Sequence, residues 1–212
     1  MVNWYRNKAF PWLMKKNIGK KTIGSLRKDI LSKAYGNILE IGIGTGINLS
    51  LYPQNITEIT AIDNWIREVN TLQLKVNIVT GSVTEMSFED NTFDTVVSTF
   101  TFCSIKDLDV ALSEIYRVLK PNGQLIFLEH GVAQNKWIVF LQNICNSFFN
   151  LFALGCNINR SYIEELKKVG FTISALSFEK GPISPKILAG YIYRGVAKKL
   201  IPKEKSNGKI NL

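Results

Sequence analysis

Between residues 36 and 131 the chain alternates short apolar runs with stretches whose apolar positions recur every three or four residues. The apolar runs Asn37–Ile41, Glu58–Asp63, Val76–Thr80, Phe93–Phe100 and Gly123–His130 have the length and composition of buried strands. The segments between them predict helices at Gly46–Tyr52, Trp65–Leu74 and Leu108–Leu119, the last stopped by Pro121-Asn122-Gly123. Near-continuous apolar strands separated by helices predict a parallel sheet covered on both faces. Upstream, residues 8–34 read as an amphipathic helical segment broken near Gly19. There Lys15, Lys16, Lys20, Lys21, Arg27 and Lys28 interleave with Trp12, Leu13, Ile18, Ile23, Leu26, Ile30 and Leu31.

After the fifth strand the rhythm changes. Residues 135–154 predict an apolar helix on which Asn143, Asn146, Ser147 and Asn150 form one narrow polar stripe. The polar groups interrupt it too often for a membrane span, which needs about 20 predominantly apolar residues. A helix at Arg160–Val169 follows, then strands at Phe171–Phe178 and about Leu188–Lys198, which predict an antiparallel pair at one edge of the sheet. The organisation expected is one domain over residues 36–200 with a helical insertion at 134–160, flanked by a basic amphipathic segment (1–35) and a basic tail (201–212). Lying between strands five and six, the insertion is expected to form a lid lined by Trp137, Phe140, Phe148 and Phe149, a wall suited to an apolar acceptor.

Composition bounds this picture without changing it. At 212 residues, 46% hydrophobic and 20% charged, the chain is a folded globular protein of one-domain size. The distribution of the +9 net charge is more telling than its size. Residues 1–33 carry +8 and residues 180–212 carry +7, whereas residues 34–179 carry −6. The basic flanks either solubilise two chain ends or meet an anionic surface such as a lipid leaflet. Aromatic residues do not interleave with the basic runs, which argues against nucleic acid. Cys103, Cys145 and Cys156 are far apart and form no C-x-x-C pair, so neither a zinc site nor a disulfide framework is expected. No secretory signal pattern opens the sequence, and a reducing cytoplasm, with contact at a membrane periphery as the variant, is the expected location.

The sharpest chemical signal is the run from Asn37 to Ser50. A strand ends at Glu40-Ile41, and Gly42, Gly44 and Gly46 then let backbone amides approach a ligand that a Cβ would exclude. Asp63, at the end of the next strand, can accept hydrogen bonds from both hydroxyls of a ribose. The spacing Gly42-x-Gly44-x-Gly46 departs from the dinucleotide fingerprint, with Ile47 where that has its third glycine. Glu40 would lie close to a pyrophosphate, but it suits a ligand carrying a sulfonium and an ammonium group.

Taken in order, LEIGIGTG, AIDNW, FEDNTFDTVVSTFTFCSI and IYRVLKPNGQLIFLEHG resemble motifs of the class I S-adenosylmethionine (SAM)-dependent methyltransferases, over residues 36–131. They correspond to the glycine loop, the ribose-binding second strand, the fourth strand and the helix–turn–fifth strand. The second half of the chain is similar to the small methyltransferase-like group, which includes thiol S-methyltransferases related to ubiquinone/menaquinone-type enzymes. That similarity runs through EHG, a Trp-led apolar helix, GCNINR, a helix, GF and a GY-I-Y strand.

The resemblance implies an α/β, Rossmann-like fold with seven strands in the order 3-2-1-4-5-7-6, strand 7 antiparallel. It implies SAM as cofactor, held by Glu40, Gly42, Gly44, Gly46, Asp63, Asn64, Ser82, Val83 and Thr99. Where the family commonly has an acidic residue for the adenine amino group, this chain reads Gly81-Ser82-Val83, so that contact falls to the Ser82 hydroxyl or to backbone. Thr99 either meets the methionine part of the cofactor or is a buried strand threonine. His130, the one histidine, is the candidate general base for a thiol, amine or hydroxyl, or else a structural residue. Cys103 is read as a small lining residue of the acceptor pocket. Arg160 either anchors an anionic group of the acceptor or caps the preceding helix. The activity implied is methyl transfer to a small apolar-leaning acceptor such as a thiol. The alternatives are a membrane-associated enzyme acting on a phospholipid head group or quinone precursor, and a non-catalytic SAM-binding module.

Overall fold

The structure is a computed structural model that describes residues 4, 12, 21–65 and 74–200. Seven strands form a single sheet in the order β3-β2-β1-β4-β5-β7-β6. They are β1 (Ile38–Ile41), β2 (Glu58–Asp63), β3 (Lys75–Thr80), β4 (Phe93–Thr99), β5 (Leu119–His130), β6 (Thr172–Lys180) and β7 (Tyr191–Lys198). Strands β1 to β5 pair in parallel, while β7 runs antiparallel to both β5 and β6. The fold is thus the Rossmann-like one that the strand–helix rhythm and the resemblance implied.

Successive strand residues point to opposite faces, so one strand feeds two apolar layers. Ile38, Val97, Ile126 and Leu128 join one layer, together with Ile23, Ile30 and Leu31 of helix α1 (Lys21–Leu31). Leu39, Val96, Leu125 and Phe127 join the other, with Leu112 and Ile115 of α2 (Leu108–Val118) and Leu166 of α4 (Tyr162–Val169). The helix between β5 and α4 is α3 (Lys136–Phe152), whose first amides at Trp137 and Ile138 donate to the Asn135 side chain. A short α5 (Lys186–Ala189) precedes β7.

Four local expectations are corrected. The helix expected at Gly46–Tyr52 is only a 3-10 turn at Leu49–Leu51. Too few residues separate Gly46 from Pro53 to repay helix nucleation, and the residue before a proline is biased to extended backbone, as Tyr52 is. The Pro121-Asn122-Gly123 turn is absorbed into β5, where register slips from Phe93↔Leu119 to Thr95↔Gln124. The last strand starts at Tyr191 rather than Leu188, because α5 occupies the preceding residues. Arg27, expected on a polar helix face, is 1% exposed inside the apolar face of α1. The expected helix Trp65–Leu74 lies, from residue 66 to 73, outside the described residues, as do most of 1–20 and all of the basic tail.

Candidate cofactor and acceptor site

In the order β3-β2-β1-β4-β5 the chain reverses its direction of growth between β1 and β4. At such a switch point, connections leave the strand ends toward opposite faces and open a crevice. A crevice of about 530 Å³ opens there. One half is lined by Ile41, Gly42, Asp63, Asn64, Ser82 and Val83, and the other by Phe100, Thr101, Ile105, Lys106, Asp107 and Leu154.

The first half is built largely from backbone. Gly42 has φ +70°, and a Cβ there would lie 2.5 Å from the Thr101 side chain, so glycine is required to seat β4's outgoing turn against the loop. Gly44, with φ +56°, donates its N–H to Asp63 Oδ2 at 2.9 Å. Trp65 donates its N–H to Asp63 Oδ1 at 2.9 Å. Each Asp63 oxygen thus accepts one backbone hydrogen bond and keeps a further lone pair for a sugar hydroxyl. The Ser82 hydroxyl pairs with Thr84 Oγ1 at 2.7 Å at the crevice wall. These features fit an adenosyl group: a carboxylate for the ribose, Ile62 and Val83 for the faces of a base, and a loop free of side chains.

Glu40 and Thr99 lie beneath this half and are not among its lining residues. The Glu40 carboxylate, 2% exposed, accepts from Asn48 Nδ2 and from the Tyr52 hydroxyl, both at 2.8 Å. Arg27 donates from Nη1 to Asn48 Oδ1 and to Thr99 Oγ1, both at 2.6 Å, and its guanidinium lies 5.1 Å from the Phe100 ring centroid. Burial pushes Glu40 up to about 7, although the Tyr52 and Asn48 hydrogen bonds and the Arg27 charge pull it down. Burial likewise lowers Arg27 to about 10, opposed by Glu40 and Glu129. Glu40 therefore acts on the glycine loop through Asn48 rather than by contact with the crevice.

His130 and Cys103, expected to act on or line the acceptor pocket, are also outside the lining. His130 is 7% exposed at the end of β5, with its ring stacked on Phe100 and its Nε2 3.1 Å from Cys156 Sγ. Cys103, 3% exposed, sits in a 3-10 turn at Phe102–Ser104. Adjacent Glu129 points to the other face. Its Oε1 accepts from Ser98 Oγ, Thr101 N and Phe102 N, fixing the turn that carries both Thr101 and Cys103.

The expected aromatic lid is turned around. Trp137, Phe140 and Phe148 are 78%, 56% and 64% exposed and do not line the crevice. Only Phe149, of the four aromatics, packs against the core. The polar residues of α3 decide its rotation. Gln142, fully buried, accepts from Ala133 N and donates to the carbonyls of Gly131, Ile158 and Leu188. Asn146 pairs with Asn157 and with Ile158 N, Asn150 with Gly155 O, and Asn143 with Asn159. Backbone groups that these side chains satisfy would otherwise be buried without partners, so the polar stripe faces inward and the aromatics outward. Arg160 donates to Lys106 O at 3.3 Å and neither caps α3 nor enters the crevice lining. Of the expected site residues, Gly42, Asp63, Asn64, Ser82 and Val83 converge on the crevice, Gly44 supports it through Asp63, and Gly46 continues the loop outside the lining.

Sequence reading missed Arg27, Thr101 and Leu154. Arg27 carried a signal, since it lies four residues after Ile23 and three before Ile30 in the buried stripe of α1. Thr101 and Leu154 sit in irregular backbone, where periodicity has no purchase.

A family model described as a methyltransferase domain matches residues 39–127. The chain is 27% identical to a thiol S-methyltransferase of Homo sapiens, over 90% of this chain and 86% of that one. It is 34% identical to a demethylmenaquinone methyltransferase of Staphylococcus aureus, over 58% of this chain and 48% of that one. It shares its fold with a SAM-dependent methyltransferase of Methanosarcina mazei, at a TM-score of 0.58 and 20% identity, covering 78% of this chain and 93% of that one.

Proposed function

Given that this chain is a SAM-dependent methyltransferase of the Rossmann-like class, we propose that its acceptor is a small, apolar-leaning molecule and that the methylated atom is a thiol sulfur. The observation that carries this reading is the composition of the crevice. Its cofactor half runs directly into a half where Phe100, Ile105 and Leu154 stand beside Thr101, Lys106 and Asp107, and no imidazole or thiol lines it among the described residues. A thiol ionises closer to neutral pH than an alcohol or an alkyl ammonium, and its thiolate is a strong nucleophile without a dedicated base. The similarity to a human thiol S-methyltransferase supports the same atom.

Bound SAM supplies an electrophilic methyl group on a sulfonium. The chain's own contribution is positioning and dryness. Gly42 brings backbone against the cofactor, Gly44 steadies Asp63, Asp63 holds the ribose hydroxyls, and Ser82 and Val83 border the base. Phe100 and Leu154 exclude water from the acceptor sulfur, and alignment of this kind is worth about 7–11 kcal/mol of barrier at most. His130 takes no part as a base in this reading, being held against Cys156 behind the Phe100 ring.

The test is a mass-spectrometric screen with isotope-labelled SAM against aliphatic and aryl thiols, an amine and a phenol. Transfer to a thiol is expected; transfer to amine or phenol alone overturns the choice of sulfur. Failure of SAM to bind in calorimetry at millimolar ligand would overturn the cofactor site itself.

One surface supports a second reading, in which the acceptor is drawn from a lipid surface as a phospholipid head group or quinone precursor. Trp137, Phe140, Ile144, Phe148 and Leu151 present an exposed apolar stripe along α3, and α3 leads into Leu154 at the crevice. No helix among the described residues is long and apolar enough to cross a membrane. An exposed apolar stripe on a helix of a protein with net charge +9 is the pattern of an interfacial helix. Co-sedimentation with anionic vesicles that is lost in Phe148→Glu supports this reading, and equal recovery of both proteins in the supernatant removes it.

A further inference from the structure

We propose that Cys103, His130 and Cys156 bind one zinc ion, through two thiolates and an imidazole, with the fourth position open to solvent. One ligand atom from each of the three residues lies within 4.8 Å of the others. The closest pair, His130 Nε2 and Cys156 Sγ, is 3.1 Å apart. Tetrahedral zinc with Zn–S near 2.3 Å and Zn–N near 2.0 Å needs ligand edges of about 3.5–3.8 Å. Side-chain adjustments of an ångström or less therefore convert the observed triangle into one face of a zinc tetrahedron.

The three residues come from separate parts of the chain, and the fold holds them together by contacts that do not involve the ligand atoms. The Cys103 carbonyl accepts from Asn157 N at 2.8 Å and from Asn157 Nδ2 at 3.1 Å, so the Cys156 loop is clamped onto the Cys103 turn. Asn146 and Asn150 of α3 tie the same loop from its other side. Glu129 fixes the Cys103 turn, and the Tyr162 hydroxyl donates to the His130 carbonyl at 2.7 Å. The asparagine stripe of α3 thus acquires a purpose, since it presents a cysteine to a histidine and a second cysteine.

The charge also balances. Zn²⁺ with two thiolates and a neutral imidazole is a neutral complex, suited to a site in which Cys103 and His130 are buried. Both cysteines bind as thiolates, so each S–H bond exchanged for a Zn–S bond as Zn²⁺ enters passes its proton to buffer. Cys156 is only half-buried, which leaves a path for the ion.

The site is independent of the acceptor proposed above, and its test needs no methyl transfer. The full chain is purified under reductant and loaded with zinc. Free metal is removed by gel filtration, and bound metal is counted by plasma mass spectrometry. One zinc per chain is expected in the wild type and in Cys145→Ser, with occupancy reduced about tenfold or more in Cys156→Ser. Cys156→Ser is the decisive variant because Cys103 is fully enclosed and its replacement risks the fold. Cobalt(II) loaded in place of zinc should give a thiolate-to-cobalt charge-transfer band in the wild type that Cys156→Ser lacks. Equal zinc in wild type and Cys156→Ser, or bound cobalt without that band, overturns the proposal.

Discussion

At the scale of single residues, the site depends on groups whose chemistry is simple and whose surroundings are not. Asp63 is the clearest case, a carboxylate held by two backbone amides with lone pairs left over. Asp63→Ala is expected to weaken SAM binding by about 10- to 100-fold, the loss of one or two charge-assisted hydrogen bonds at about 1.5–3 kcal/mol in total. Calorimetry checks it, and unchanged affinity would show that the ribose is held elsewhere. Both Asp63 and Gly42 were legible because spacing alone specifies them. Glu40 was legible as a charge at the loop but not as a buried one, since its partners Asn48 and Tyr52 lie in a turn that was expected to be a helix.

At the scale of elements, α3 shows how a few polar side chains override an apolar majority. Gln142 satisfies one buried N–H and hydrogen-bonds three carbonyls drawn from different segments. Gln142→Leu, which keeps the bulk and deletes these bonds, is expected to cost about 2–4 kcal/mol in urea unfolding. Trp137→Ser, on the exposed face of the same helix, should move stability by less than about 0.5 kcal/mol. The reverse order of effects would mean that the aromatic face packs inward. The helix itself and its length were readable from its periodicity. Its rotation was not, because that depends on which carbonyls lie beneath it.

At the scale of the whole molecule, the cores on either side of the sheet enclose ionisable groups that make stability depend on pH. Glu40 is raised by burial from 4.5 to about 7, and Glu129 is raised in the same direction by burial. A carboxyl that holds its proton more tightly when folded contributes fully below its unfolded pKa, and the contribution is lost as pH rises through the folded value. Between about 4.5 and 7, therefore, Glu40 makes the protein less stable as pH increases. Asp94, where hydrogen bonds from Lys120 and Asn37 outweigh burial, and Glu114, beside Arg117, are lowered and act in the opposite sense. Their contribution is present above the ordinary carboxylate range and lost as pH falls through their folded values. Glu40→Gln is expected to flatten the decline in melting temperature across this window relative to the wild type, in matched scanning-fluorimetry series. Parallel profiles would show that Glu40 does not titrate there.

Hydrophobic periodicity and the glycine spacing were enough, by themselves, to determine the parallel sheet, its covered faces, the glycine turn and the carboxylate at the end of β2, because each is encoded within a few neighbouring residues. Only the tertiary structure decided that Arg27 reaches Asn48 and Thr99, that α3 turns its aromatics to solvent, and that Cys103, His130 and Cys156 meet. Those outcomes depend on groups far apart in the chain competing for the same buried hydrogen bonds and space. A local pattern records a residue's own preference but not the partners that the fold will bring to it.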